Sequence, residues 1–175
     1  MTDAAVLEIR TAEPADAEEL AELIVAAYGC ADEGHGWTSD SALVRVASTD
    51  APGVRRLIDE PGSVVVVGEQ EGRLVGCCHV RRVGSITAQV GLLAVDPDLQ
   101  SHGIARRLGT AALDHALWQL GCRRAEIEVL GHHVALRDWY ASEGFRETGE
   151  TRPLPRGVAL IDGLQLVTMR KDLRP

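Results

Sequence analysis

Two hydrophobic periods alternate along the chain, and the switches between them mark out its elements. Residues 6–11 alternate apolar and polar as a short strand does. After Glu13-Pro14-Ala15-Asp16 the apolar positions Leu20, Leu23, Ile24 and Ala27 recur at helical spacing. Residues 29–62 carry a poor pattern, broken by Gly34-His35-Gly36-Trp37 and Asp50-Ala51-Pro52-Gly53, and short helices over 41–47 and 54–58 on a flap are the expectation there. Residues 63–69, with four consecutive valines, and 74–83 flank the turn Gln70-Glu71-Gly72-Arg73 as an antiparallel pair. Residues 86–95 extend this meander until Pro97, which cannot donate to a ladder. From 103 to 120 the stripe Ile104, Leu108, Ala112, Ala116 and Leu120, widened by Leu113 and Leu117, marks the clearest helix, ended by Gly121. A strand at 124–130, a short helix at 134–142 closed by Gly144, a strand at 145–151, a loop at 152–163 and a last strand at 164–170 complete the order.

Composition adds bounds to this order. A chain of 175 residues with 45% apolar content suits one domain over 1–175 that buries its own core. The opening Met1-Thr2-Asp3-Ala4 has no basic or apolar run of signal type, and no segment approaches the ~18 apolar residues of a membrane helix, so a cytoplasmic protein is expected. A net charge of -8 argues against general nucleic-acid or acidic-membrane binding, which needs a basic surface, and leans toward a cationic partner. Cys30, Cys77, Cys78 and Cys122 have no C-x-x-C spacing, and reduced thiols are expected. On a strand, Cys77 and Cys78 point to opposite faces, so Cys77-Cys78-His79 is not expected to hold a metal.

The segment Gln100-Ser101-His102-Gly103-Ile104-Ala105 lies between a strand and the clearest helix. The first turn of a helix leaves N–H groups without intrahelical partners and carries partial positive charge. Gly103 clears the approach, Ala105 keeps the next contact small, and Arg106 and Arg107 add charge, which makes an anion cradle. A P-loop needs Gly-Lys followed by Ser or Thr, and a dinucleotide fingerprint needs three spaced glycines after the first strand; neither is present.

This segment resembles the signature of the GNAT superfamily of N-acetyltransferases, Gln/Arg-x-x-Gly-x-Gly/Ala after a strand. The flanks are similar too: Leu93-Ala94-Val95-Asp96-Pro97 before it, and Trp139-Tyr140-Ala141-Ser142-Glu143-Gly144-Phe145 downstream. The resemblance runs from Ile9-Arg10-Thr11 to Met169-Arg170-Lys171. It implies an α/β (α+β) GNAT fold: a central mixed, mostly antiparallel sheet of six to seven strands flanked by helices, with a splay between the fourth and fifth strands. It implies acetyl-CoA as co-substrate, with no metal. The pyrophosphate would be held by main-chain amides of residues 101–106, and the pantetheine arm would lie as a pseudo-strand beside Leu93 and Val95. His133 stands where the family often has an asparagine that bonds the pantetheine, and imidazole can still donate one hydrogen bond. Tyr140, followed by Gly144-Phe145, stands where the family often has the tyrosine that protonates the departing thiolate. A phenol with a pKa of about 10 is protonated at neutral pH.

The proton acceptor departs from the family pattern. Gln89 occupies the place of a common glutamate, and a carboxamide cannot take a proton at neutral pH. Either Gln89 orients a water, or Glu126, Glu128 or His79 serves, or the amine arrives neutral. The resemblance implies direct transfer to a primary amine of a small molecule or peptide; the alternative is a non-catalytic acyl-CoA sensor or scaffold of the same fold. The acceptor would be shaped by the 29–62 flap and the 152–163 loop. In the flap Asp32, Glu33, Asp40, Asp50, Asp59 and Glu60 outnumber Arg45, Arg55 and Arg56, and Trp37 is a candidate to cover the acceptor. The apolar run 158–161 is a candidate homodimer contact.

Overall fold

The computed structural model of the protein describes residues 6–29, 50–100, 102–154 and 163–175. The elements appear in the expected order: β1 (Glu8–Thr11), α1 (Ala17–Gly29), α2 (Ala51–Asp59), β2 (Ser63–Gln70), β3 (Arg73–Arg82), β4 (Thr87–Val95), α3 (Ile104–Trp118), β5 (Arg124–Leu130), α4 (Val134–Ser142), β6 (Arg146–Pro153) and β7 (Gln165–Asp172). The strands form a seven-stranded sheet in the order β1-β2-β3-β4-β5-β7-β6, antiparallel throughout except between β4 and β5.

Strand alternation sends one set of side chains to each face, and each face has its own core. Val66, Cys78, Val80, Ala88, Val90, Ile127 and Met169 meet the α3 stripe Ile104, Leu108, Ala112 and Ala116 on one side. Val65, Val67, Cys77 and Ala94 meet Leu20 and Ile24 of α1 and Val54 of α2 on the other. The two vicinal cysteines therefore belong to different cores, as strand geometry requires. Both are fully buried, and burial pushes the Cys77 thiol up to about 12 and the Cys78 thiol up as well, so neither is a ready thiolate. Gly76 lets α3 descend onto β3: a Cβ there would lie 2.7 Å from Leu108 Cδ1 and 3.0 Å from the Ala94 carbonyl oxygen.

Polar ties fix the entry to α1. Arg10 on β1 binds both oxygens of Asp16, at 2.7 and 3.0 Å, and reaches Glu69 on β2 at 3.0 Å. Asp16 in turn accepts from the Glu13 amide at 2.7 Å in the 3₁₀ turn Pro14–Asp16, and the guanidinium holds its carboxyl below the usual range.

Two of the boundary differences from the sequence expectation have a local physical cause. Asp50-Ala51-Pro52-Gly53 is a helix start and not a turn: the Asp50 side chain accepts from the Gly53 amide at 2.8 Å, and Pro52 sits in the first turn, where its missing N–H costs nothing. β6 runs past 151, because Arg152 and Pro153 still pair with Leu166 and Gln165 of β7. Other expectations fall outside the described residues: Cys30, the string 34–37 with Trp37, the helix over 41–47, the flap residues Asp32, Glu33, Asp40 and Arg45, Ser101 of the phosphate loop, and the run 158–161. No helix among the described residues is long and apolar enough to cross a membrane.

Candidate functional site

The sheet opens at its centre. β4 and β5 pair in parallel only through Thr87 with Arg124, Ala88 with Ala125 and Gln89 with Glu126, after which β4 stays with β3 while β5 stays with β7. The parting coincides with a bulge, where the β3–β4 register steps from His79 opposite Gly91 to Cys77 opposite Ala94. Within it Leu92 takes a left-handed φ of 48°, a conformation that costs a branched or bulky L-residue energy and persists only where the surroundings enforce it. Past Gln89, the edge of β4 that faces β5 has no strand partner among the described residues. Leu93 and Val95 point into the α3-side core, so what they offer to the gap is main chain. The Tyr28 hydroxyl, at the end of α1, donates to the Leu93 carbonyl at 3.4 Å. Tyr28 was not singled out from sequence; its only signal is a hydroxyl-bearing ring four residues beyond Ile24 on an apolar helix stripe.

Beyond the end of β4 lies the segment in which the sequence places an anion cradle. Asp96 caps the 3₁₀ turn Pro97–Leu99 by accepting from the Asp98 amide at 3.0 Å, Gln100 is extended, and Gly103 is the N-cap of α3 with φ 76°. Among the described residues, a Cβ at Gly103 would meet nothing within 4 Å. The first helical bond described here runs from the Arg107 amide to the Gly103 carbonyl at 3.2 Å, which leaves the amides of Ile104, Ala105 and Arg106 at the exposed helix start. The Ile104 side chain is buried and Ala105 half-buried. His102 turns Nδ1 back to the carbonyls of Leu99 and Gln100, at 3.1 and 3.0 Å. The two arginines are engaged within the protein: Arg106 pairs with Glu143 at 2.7 Å, and Arg107 donates to the Leu7 carbonyl at 2.9 Å. The first of these ties the start of α3 to the end of α4.

α4 supplies two more polar groups. His133 is its N-cap, and Nδ1 accepts from the Leu136 amide at 3.2 Å. A neutral imidazole that accepts at Nδ1 carries its proton on Nε2, and that Nε2 is buried with no hydrogen-bond partner among the described residues. Seven residues further on, two helical turns along the same face, Tyr140 sets its ring edge-on to Trp139 at 4.8 Å and to Phe145 at 5.7 Å. Burial, with smaller contributions from Cys78 and Tyr28, pushes its hydroxyl well above the ordinary phenol value. Tyr140 therefore carries its proton at neutral pH.

The opposite face of the sheet, on the α1 and α2 side, holds a cavity of about 410 Å³ lined by Gln89, Glu126, Glu128, Thr168, Glu150, Thr151, Arg152 and Val83. Glu126 and Glu128 share this face, as strand spacing requires, and both are already paired. Arg152 grips both oxygens of Glu128, and Arg170 holds Oε1 of Glu126 at 2.8 Å. The Gln89 side-chain oxygen accepts twice from Arg81, at 2.9 and 3.2 Å. His79 lies on the same face, 9% exposed, with Nε2 2.7 Å from the Ser63 hydroxyl oxygen. No group of three or more His, Cys, Asp or Glu positioned to hold a metal ion occurs among the described residues.

The site thus brings together a gap whose β4 edge lacks a strand partner among the described residues, the helix start at Gly103 and a half-buried phenol on α4. Residues 61–147 match the family model described as an acetyltransferase (GNAT) domain. No curated protein matches the chain. Among solved structures, the fold is similar to yncA from Salmonella typhimurium, solved with its cofactor acetyl-CoA, at 23% identity and a TM-score of 0.70 over 96% of this chain and 94% of that one. It is similar to a ribosomal-protein-alanine N-acetyltransferase from Brucella melitensis, at 20% identity and a TM-score of 0.69 over 95% and 99%. It is also similar to a chimera of the spermidine N-acetyltransferase SpeG from Vibrio cholerae and hSSAT, at 18% identity and a TM-score of 0.68 over 95% of both. Through its matched domain the chain belongs to the GNAT family, and it has the GNAT fold with the splay between β4 and β5.

Proposed function

We propose that the protein, as a single domain over 1–175 in the reducing cytoplasm, moves the acetyl group of acetyl-CoA to a primary amine of a small molecule or peptide by direct transfer in a ternary complex. The observation that carries this reading is the buried Nε2–H of His133, a donor without an acceptor beside a gap whose main chain also lacks partners. A buried unpaired donor costs about 1–3 kcal/mol, and an acceptor on an extended arm in the gap would remove that cost. The site thus fits the group the family implies.

In this reading the main chain of Leu93 and Val95 pairs with the arm, and His133 donates to it. The amides around Gln100, Ser101, His102, Gly103, Ile104, Ala105 and Arg106 take the pyrophosphate. When bound, acetyl-CoA supplies the activated acyl group; the protein positions it, excludes water and moves protons. Tyr140 gives its hydroxyl proton to the departing sulfur. The cavity over Gln89, Glu126 and Glu128 receives the amine.

Calorimetry is expected to show acetyl-CoA binding in the micromolar range, followed by thiol release with at least one member of a panel of polyamines, amino acids, aminoglycosides and peptide N-termini. Binding without turnover would favour the second reading, a sensor that has lost its base; Gln89, held by Arg81, is the observation on that side. His133→Ala is expected to weaken acetyl-CoA binding about tenfold and to lower stability by roughly 1 kcal/mol through the lost cap. Unchanged affinity in a folded variant would remove His133 from the site.

A further inference from the structure

We propose that His79 is the group that takes the proton from the incoming amine. The proposal rests on the acetyltransferase reading and fills the place that Gln89 leaves. His79 stands on β3 directly opposite Gly91, at the point where β4 begins its bulge away from β5. Gly91 has no side chain, and a Cβ there would meet nothing within 4 Å among the described residues, so β4 sets no side chain opposite the imidazole on that face.

The orientation of the ring is fixed from behind. The Ser63 hydroxyl donates its single proton to the Leu57 carbonyl at 2.7 Å, so toward His79 Nε2, also at 2.7 Å, it can only accept. Nε2 therefore carries the hydrogen and Nδ1 the lone pair. Burial above all, and then Arg81 on the same strand, hold the imidazole below its ordinary pKa, with Glu60 beyond the end of α2 opposing them. The ring is a neutral base at physiological pH. The two carboxylates of β5 on this face are engaged: Glu128 by Arg152 through both oxygens, and Glu126 by Arg170.

The protons balance. An alkylammonium acceptor gives one N–H proton to Nδ1, leaving an imidazolium and a neutral amine. The amine lone pair forms the C–N bond as the C–S bond breaks, and the electron pair goes to sulfur, which takes the Tyr140 hydroxyl proton. The tyrosinate recovers the second N–H proton from the new amide nitrogen, and the imidazolium releases its proton to solvent. One proton is released per amide formed.

Two measurements test this. Ring ¹⁵N spectra of the unaltered chain saturated with CoA are expected to show His79 at pH 7 neutral, with hydrogen on Nε2. A ring protonated at pH 7, or hydrogen on Nδ1, overturns the proposal whether or not an acceptor is turned over. Thiol release from acetyl-CoA is then compared with spermidine, which is cationic at pH 7, and hydroxylamine, which is neutral. His79→Gln is expected to slow spermidine acetylation about 100-fold and to erase the rise of rate with pH, while hydroxylamine, which needs no base, is scarcely slowed. Equal slowing of both nucleophiles, or of neither, overturns the proposal. If the unaltered chain turns over neither, the acetyltransferase reading has failed on these acceptors, and the ring spectra alone decide the state of His79.

Discussion

Tyr140→Phe is expected to lower kcat about 100-fold while leaving acetyl-CoA affinity within about twofold. The ring of Tyr140 packs edge-on against Trp139 and Phe145, and a phenylalanine keeps both contacts and the buried surface. Only the hydroxyl is lost, and with it the proton for the departing thiolate. Because burial holds that hydroxyl above the ordinary phenol value, it is protonated at neutral pH and well into the alkaline range. The acid limb of the pH profile should therefore owe nothing to Tyr140. Steady-state kinetics with the best acceptor, alongside calorimetry with acetyl-CoA, check both halves; a kcat equal to that of the unaltered chain removes the acid role.

The second large effect is on affinity. Gly103→Val is expected to weaken acetyl-CoA binding on the order of 100-fold, the loss of one or two charge-assisted hydrogen bonds of about 1.5–3 kcal/mol each. The protein itself leaves room for the new side chain, since a Cβ at Gly103 meets nothing within 4 Å. The folding cost is confined to the positive φ of 76°, about 1–2 kcal/mol for an L-residue. Thermal melting separates the two: a modest fall in Tm without ligand, together with loss of the ligand-induced rise, is the expected pair of results. Retained affinity would mean that the anion does not approach the start of α3.

Much of this was legible in the sequence, because the signals are local. The valines of β2, the turn at Gln70-Glu71-Gly72-Arg73 and the stripe Ile104, Leu108, Ala112, Ala116 each state a period and a boundary within a few residues. The helix start at Gly103 was legible for the same reason. What escaped depended on partners distant in the chain. β6 reaches Pro153 only because β7 pairs with it, and Asp50 reads as a turn residue until α2 packs under β2. The pairing of Glu126 with Arg170, 44 positions away, and of Glu128 with Arg152, 24 away, has no signature at either end, yet it decides which groups on that face are free to accept a proton. Tyr28 was hidden in the same way, as one more residue on an apolar helix whose hydroxyl crosses to β4.

The short parallel contact between β4 and β5 has one more consequence. An unpaired strand edge is ordinarily a hazard, since it invites another chain to add a strand. Here the bare edge is recessed inside the sheet, closed at the 87–89 end and backed by β3 on one side and β7 on the other. The fold thereby keeps this unpaired edge within the sheet, with β5, β7 and β6 between it and the sheet's outer margin, instead of presenting it at the margin where another protein could add a strand.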